Sequence, residues 1–584
     1  MGKTTRLGFL FCAFVILYAQ RGDSNEIYHV SLKVDNSVKL YWTLDYSSET
    51  ISFEIHIPQD YGWFAIGFSD RGQLFPADYC LLWKNLKKKV SLDDIYTEED
   101  GVVHLDQQQD CSKFKIRRKE DVVKFTFQRQ FDTCDRHDYI IEEGTTHVVW
   151  SRGQHTLYKA NGVNITSSHE DSGMVRVNLL KNTKANYKLP SHVNIFDLLN
   201  DNVKVPAEET TYWCRVVKIP EEYRKKHHIY QYGAHIQESS EGVVHHMEVF
   251  HCQADANEEI PLYNGNCFAE DRPPKTQVCK KVLAAWAMGA TPFTYPKEAS
   301  LALGGENFNP YIMLEVHYNN PDLKAGLIDS SGIRFHISSV LKKMDAGVIE
   351  LGLEYTDKMA IPPEQSRFSL SGYCTSACTA MSLSPEGITI FGSQLHTHLT
   401  GVRVITRHFD EHGRELPELN RDNHFSTHFQ EIRILKRPVK VLPGHSLITK
   451  CDYNTEDREN ITLGGFSISD EMCVNYIHYF PSSELEVCKS SISDQALKTF
   501  FKYMNEWEDQ DTSPLKGISD NYKSIKWNRM RIQLLDEVYN ESPLSIQCNM
   551  SSGDRFPGYW ENAPVPQVSI PLGPPARRCD NIIK

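Results

Sequence analysis

Positive charge is in short supply in this 584-residue chain: 63 Lys and Arg stand against 76 Asp and Glu, a net charge of −13. A nucleic-acid partner needs a basic face, so that class is excluded. Long apolar runs are also lacking. Beyond the N-terminus none approaches membrane length, and the tail Pro571–Lys584 is polar, which argues against a membrane-embedded body and a lipid anchor at that end. The chain has no Gly-rich phosphate loop, no Ser nucleophile elbow and no HExxH helix, which removes nucleotide-binding, serine-hydrolase and common zinc-protease readings. No repeat of solenoid period is visible. What is plentiful is core material, with 40% hydrophobic and 11% aromatic residues, so the chain folds rather than staying disordered.

Lys3 and Arg6 precede an apolar run from Leu7 to Ala19, too short to span a bilayer comfortably. Residues 1–22 read as a secretory signal peptide, or as a signal anchor if retained, because Leu17 occupies a position where cleavage prefers a small side chain. Of 15 cysteines, Cys12 lies in that signal, which leaves an even number for an oxidising compartment. N-glycosylation sequons begin at Asn164, Asn460, Asn540 and Asn549. Signal, cysteines and sequons together place the protein in the secretory pathway, secreted or in a vesicle lumen.

Ile51, Phe53, Ile55 and Ile57 alternate with polar residues, the period of a strand with one buried face. Trp63–Phe68, Val122–Phe127 and His147–Trp150 continue the pattern, so 26–155 reads as a small antiparallel β-sandwich with a structural or targeting role. A polar, loop-like stretch over about 160–205 follows. Residues 206–345 and 350–510 are dense in short β-branched and aromatic runs broken by Gly and Pro, which predicts two further sandwiches and a mainly β protein. One helix is expected near Asp494–Gln510, with Leu497, Phe500, Phe501 and Met504 on one face and Ser493 as its cap. The segment 511–584 reads as irregular and wrapping back onto the core.

Four strand-like stretches carry metal-capable side chains: His245 and His246 in VVHHMEVF, His317 in LEVHY, His396 and His398 in QLHTHL, and Met472 in DEMCVNY. His396 and His398 are two apart and leave the same strand face, so they can converge on one ion. Met472 and Cys473 are adjacent and face opposite ways, the sulfur ligand inward and the cysteine outward to a bridge. His245 and His246 are also adjacent and need a bulge or strand end to share an ion. Each motif alone has a plainer explanation: an isolated HxH is more often structural, and a lone Met more often core. The pair His227-His228 sits beside Lys225 and Lys226, whose charges would repel a cation, and is rejected as a site. Co-occurrence in apolar contexts raises the odds, and a thioether suits Cu(I) far better than zinc or magnesium. Spacing still leaves open a zinc site of HxH plus a distant His, which would hydrolyse rather than oxidise.

HHMEVF, LEVHY, SQLHTHLTG and DEMCVNYIHYFP, with TTYWC at 210–214, VLAAWAMGA at 282–290 and HFQEIRILK at 428–436, resemble the copper type II, ascorbate-dependent monooxygenases. The likeness runs from about 40 to 580, and WFAIGFSDRG in the first region looks like a DOMON domain. The resemblance implies a DOMON-like β-sandwich followed by two jelly-roll-like β-sandwich copper domains facing each other across a solvent cleft. An electron-transfer copper would be held by His245, His246 and His317, and an oxygen-activating copper by His396, His398 and Met472. Tyr212 and His396 match positions with catalytic roles in the family, and Tyr476 is expected to line the substrate pocket. The implied disulfides are Cys134–Cys579, Cys214–Cys267, Cys252–Cys279, Cys374–Cys488, Cys378–Cys548 and Cys451–Cys473, leaving Cys80 and Cys111 as a possible pair.

Two departures refine the expectation. Peptide-amidating relatives carry an arginine two before the HxH histidine, where this chain has Gln394, which favours a small amine over a peptide. Asn505–Gly517 contains no cysteine, so a covalent dimer is not expected and any homo-oligomer would be non-covalent. The sequence therefore predicts a two-copper monooxygenase that hydroxylates the benzylic carbon of a dopamine-like phenylethylamine with O₂ and ascorbate. The alternative is a non-catalytic secreted copper-binding protein of the same fold.

Overall fold

The computed structural model describes residues 27–573 apart from 34, 166–170, 181–187 and 289, together with 577 and 579; the signal segment lies outside them. Among the described residues no helix is long and apolar enough to cross a membrane.

Period-2 patterning produces a first sandwich of two antiparallel sheets. One has the order Tyr28–Ser31, Lys39–Asp45, Thr50–Pro58, Val122–Gln130, Ser112–Lys119. The other runs Ser172–Val177, Thr146–Gly153, Trp63–Ser69, Ala77–Lys84, Val90–Thr97, Val103–Leu105. The inward residues Ile51, Phe53, Ile55 and Ile57 pack with Trp42, Phe64, Phe125 and Trp150 in one core. The stretch around 160–205, expected as a loop, is partly strand: Val175 and Val177 alternate into the first sandwich, and Asn194–Leu199 pairs with Gly332–Ser338 in the second. Tertiary pairing there overrides a polar local composition.

The second sandwich sets a sheet centred on His227–His235 against one ordered Tyr263–Asn266, Thr210–Lys218, Tyr311–Asn319, Val244–Cys252, Cys279–Ala287. The third sets Arg433–Val441, Ile388–His396, Val474–Phe480, Gly347–Leu353, Leu485–Ile492, Leu544–Met550 against Phe368–Cys374, Ser446–Tyr453, Gly401–Phe409, Glu415–Asp422. Its helix spans Asp494–Glu506, with the Ser493 hydroxyl accepting from Ala496 N at 3.3 Å. Leu497, Phe500, Phe501 and Met504 are buried against the sandwich, a contribution of about 2 kcal/mol each.

The segment from 511 onward is regular as far as 550 and irregular over the described residues after it. It forms helices Ile518–Ser524 and Arg529–Glu541, then a strand Leu544–Met550 that extends the third sandwich beside Leu485–Ile492. Tyr522 and Leu535 bury into that sandwich's core. Ile532, Leu535, Val538 and Tyr539 recur there at helical spacing among charged residues and pack on the same core.

All six implied disulfides form, and Cys80 pairs with Cys111. Cys134–Cys579 ties the first sandwich to the chain's far end across 445 residues of sequence. Asn164, Asn460 and Asn540 are exposed, while Asn549 is half-buried in the last strand.

A buried carboxylate joins the first sandwich to the third. Asp422 accepts from Thr145 N at 3.0 Å, Thr145 Oγ1 at 2.7 Å and Arg433 Nη1 at 2.8 Å. Burial would raise its carboxyl, but the Arg433 charge and the Thr145 hydrogen bonds win and hold it below its ordinary value. Gly144 approaches so closely, at φ +129°, that an added Cβ would lie 2.9 Å from Asp422 Oδ1, so only glycine fits there. Around this point Arg71 Nη1 donates to Val402 O at 2.7 Å and Asn423 Nδ2 to Glu142 Oε1 at 2.6 Å.

Candidate metal centres

The first cluster is built by two neighbouring strands in register. His246 on Val244–Cys252 lies opposite His317 on Tyr311–Asn319, and the pairing slips between Val244 and His246. That irregularity is the bulge two adjacent histidines need to turn toward one point. His317 Nδ1 lies 3.1 Å from His246 Nδ1, and His245 Nδ1 lies 3.3 Å from it. Nitrogens about 2.0 Å from a shared ion in tetrahedral directions would be about 3.3 Å apart, so these three fit one metal. Tyr212, the cross-strand partner of His317, stacks on its ring at 4.5 Å and 6°, packing the imidazole into a fixed plane.

The second cluster sits where two strands of the third sandwich end together. His396 is the last residue of Ile388–His396 and pairs with Val474, two residues after Met472. His398 lies just past the strand end, and its ring stands 5.3 Å from that of His396 at 89°. His396 Nδ1 donates to Gln430 Oε1 at 2.6 Å, and His398 Nδ1 to Asp470 O at 3.1 Å. Each contact fixes a tautomer that leaves Nε2 as the lone-pair nitrogen, the arrangement metal-ligating histidines use. Met472 is buried, and Tyr453 Oη donates to its carbonyl at 2.8 Å.

Glu471 couples the segments. Its Oε1 accepts from Thr400 N at 2.6 Å and Thr400 Oγ1 at 2.7 Å. Its Oε2 accepts from His398 N at 2.9 Å and Met472 N at 3.1 Å. Burial pushes this carboxyl up to about 7 despite those donors. Nothing in the spacing of the histidines announced Glu471 or Gln430; both act through contacts between segments far apart in sequence.

Burial also keeps the imidazoles neutral, as ligation requires. Desolvation lowers His245 to about 4, and lowers His317 and His396 to about 3, with neighbouring histidines adding to the effect. His246 is lowered well below its ordinary value by desolvation and by histidines of both clusters.

Tyr476 lies beside this centre, its ring 6.3 Å from that of His396. It pairs across strands with both Gln394 and Glu350. Gln394 donates to Gln430 O at 2.9 Å. The rejected pair is structural: His228 Nε2 contacts Asp345 Oδ1 at 2.9 Å and His227 Nδ1 contacts Lys225 O at 2.6 Å.

Residues 196–325 match the family described as copper type II ascorbate-dependent monooxygenase, N-terminal domain, and residues 344–501 match its C-terminal domain. Residues 34–153 match the DOMON domain. The chain is 42% identical to dopamine beta-hydroxylase of Bos taurus over 94% of its length and 90% of that protein. It is 36% identical to tyramine beta-hydroxylase of Caenorhabditis briggsae, covering 91% of each. Against DBH-like monooxygenase protein 1 of Homo sapiens the identity is 31%, over 94% of this chain and 90% of that one.

Proposed function

The chain belongs to the copper type II ascorbate-dependent monooxygenase family, and from that premise we propose that it hydroxylates the benzylic carbon of a phenylethylamine-like substrate with O₂ and ascorbate. We assign His245, His246 and His317 to one copper, and His396, His398 and Met472 to the other. When bound, copper supplies one-electron redox chemistry, and a thioether ligand favours its Cu(I) state.

The choice of an amine rests on carboxylates gathered at the second centre. Glu350 lies opposite Tyr476, receives a hydrogen bond from Tyr355 Oη at 3.2 Å and is paired with Lys489. Glu248 and Glu315 stand opposite each other two residues from His246 and His317. Burial raises Glu248 to about 8, with Glu315 and Glu350 adding to it, so Glu350 of the third sandwich acts on a carboxylate of the second. No cation lies in ion-pair reach of Glu248 or Glu315 among the described residues. An ammonium group entering the cleft would relieve that crowding, whereas a carboxylate-ended peptide would worsen it. Tyr476 would then orient the aromatic ring, and Gln430 would hold the His396 tautomer through turnover.

The carrying observation is the acidic, tyrosine-lined wall beside His396. We further read the protein as a resident of the secretory pathway, in keeping with its seven disulfides. The deciding experiment is oxygen uptake by copper-loaded protein with ascorbate and a series of aryl substrates. Dopamine or tyramine should be consumed and hydroxylated at the benzylic carbon, while 3-phenylpropionate should not. Copper binding without oxygen uptake on any aryl amine would favour the non-catalytic carrier.

A further inference from the structure

A seam between the first and third sandwiches carries a positive charge that no acid among the described residues pairs with. Arg176 on Ser172–Val177 lies opposite His147 on the neighbouring strand. Its Nε is buried without a hydrogen-bond partner, and no carboxylate pairs with it among the described residues. His147 is itself only 2% exposed, and its Nδ1 also lacks a partner. Arg71 nearby differs, because Asp70, Asp422 and Asp452 surround it. A half-buried guanidinium facing unfilled polar atoms is costly unless something anionic completes it.

The seam leads toward the first histidine cluster through the Asp422 contact. Thr145, two residues before His147, is held by Asp422, which ends the strand entering the loop 423–432. On that loop His428 is exposed, yet its ring lies 6.4 Å from that of His245. Burial, and after it the Arg176 charge, holds both His147 and His428 below the ordinary imidazole value. A small anion in contact with Arg176 and His428 would therefore lie one ring away from His245.

We propose that the Arg176–His147–His428 seam is the docking site of ascorbate, the family's reductant, which is an anion at neutral pH. The proposal rests on reading the first histidine cluster as a copper site. The whole protein carries −13 and repels an anionic donor at long range, so productive encounter needs a local cationic patch. The planar guanidinium fork suits paired oxygens on a flat ring. Asp422 and Gly144 hold the two walls of the seam together, which gives the DOMON domain a part in electron entry.

The test uses full-length, copper-loaded protein as wild type, Arg176→Gln, Arg176→Lys and the control Arg118→Gln, an exposed arginine on the far strand Ser112–Lys119. Loss of the Cu(II) electron-paramagnetic signal is followed after mixing with ascorbate or with uncharged hydroquinone. Saturation-transfer NMR of ascorbate on the metal-free protein gives a readout independent of turnover. Arg176→Gln should need about tenfold more ascorbate for half-maximal reduction, the cost of one charge-assisted contact, and should lose the NMR transfer. Its defect should be smaller with hydroquinone. Arg176→Lys should recover part of the loss, and Arg118→Gln should match wild type. An unchanged ascorbate dependence in Arg176→Gln, an equal loss with hydroquinone, or an equal loss in Arg118→Gln would overturn the proposal. If no amine is oxygenated but Arg176-dependent ascorbate binding persists, the substrate reading fails and the docking site stands.

Discussion

Replacing Glu471 by Gln tests how the Met-bearing centre is held. The carboxylate accepts four hydrogen bonds, two on each oxygen, from His398, Met472 and Thr400. An amide of the same shape keeps one accepting oxygen and turns an NH₂ toward the other pair of donors. If the NH₂ faces Thr400, the hydroxyl can rotate to accept, but the Thr400 N–H at 2.6 Å meets another donor. If it faces the opposite pair, the His398 and Met472 N–H groups are both stranded. At least one buried N–H is thus left unsatisfied, a cost of about 1–3 kcal/mol. Removing a buried charge offsets part of that, because desolvation already raises the Glu471 carboxyl to about 7. The net loss in stability should be about 1 kcal/mol, while the two ligand segments lose their common anchor. Copper affinity at this centre should fall about 10- to 100-fold, as for other partners that orient metal ligands. Chelator competition monitored by X-ray absorption separates the sulfur-bearing copper from the all-nitrogen one. Undiminished affinity at the sulfur-bearing copper in Glu471→Gln would refute the idea that this carboxylate aligns His398 with Met472.

Three further outcomes follow from the same contacts. Met472→His should still load copper yet lose most oxygenation, because a harder ligand disfavours Cu(I); oxygen uptake at wild-type rate would remove the role given to the sulfur. The Asp422 carboxyl is held below its ordinary value in the fold, so its stabilisation is full above the unfolded-state value and is lost as pH falls through the folded one. Acid unfolding followed by calorimetry should accordingly start at higher pH in a Thr145→Val variant, which lacks the hydroxyl donor, and Asp422→Asn should flatten that part of the profile. Cys451→Ser with Cys473→Ser opens a loop of 22 residues' separation and should cost about 3 kcal/mol on the chain-entropy model, read as a lower denaturant midpoint at unchanged slope.

The sequence by itself determined the strands and the candidate ligand set, because both are local or periodic. Alternation at Ile51–Ile57 predicts a one-sided strand, and the four-residue apolar face at Leu497–Met504 predicts a helix. The two-residue spacing of His396 and His398 is a geometric statement before any fold exists. The adjacency of His245 and His246 likewise demanded the irregularity found between Val244 and His246. Within 511–584 a helical period is present too, at Ile532, Leu535, Val538 and Tyr539, whereas the pairing of Leu544–Met550 with Leu485–Ile492 is set by docking on the third sandwich.

Only the tertiary structure decided what surrounds the ligands. Gln430 reaches His396 from 34 residues away and Glu471 reaches His398 from 73. Asp422 meets Thr145 across 277 residues, and the His428 ring meets that of His245 across a boundary between sandwiches. Such contacts join groups with no sequence relation, and a polar side chain alone does not say whether its partner is water or a distant donor. Desolvation, which neutralises the imidazoles and crowds the carboxylates beside Tyr476, comes into being when the sandwiches close over them.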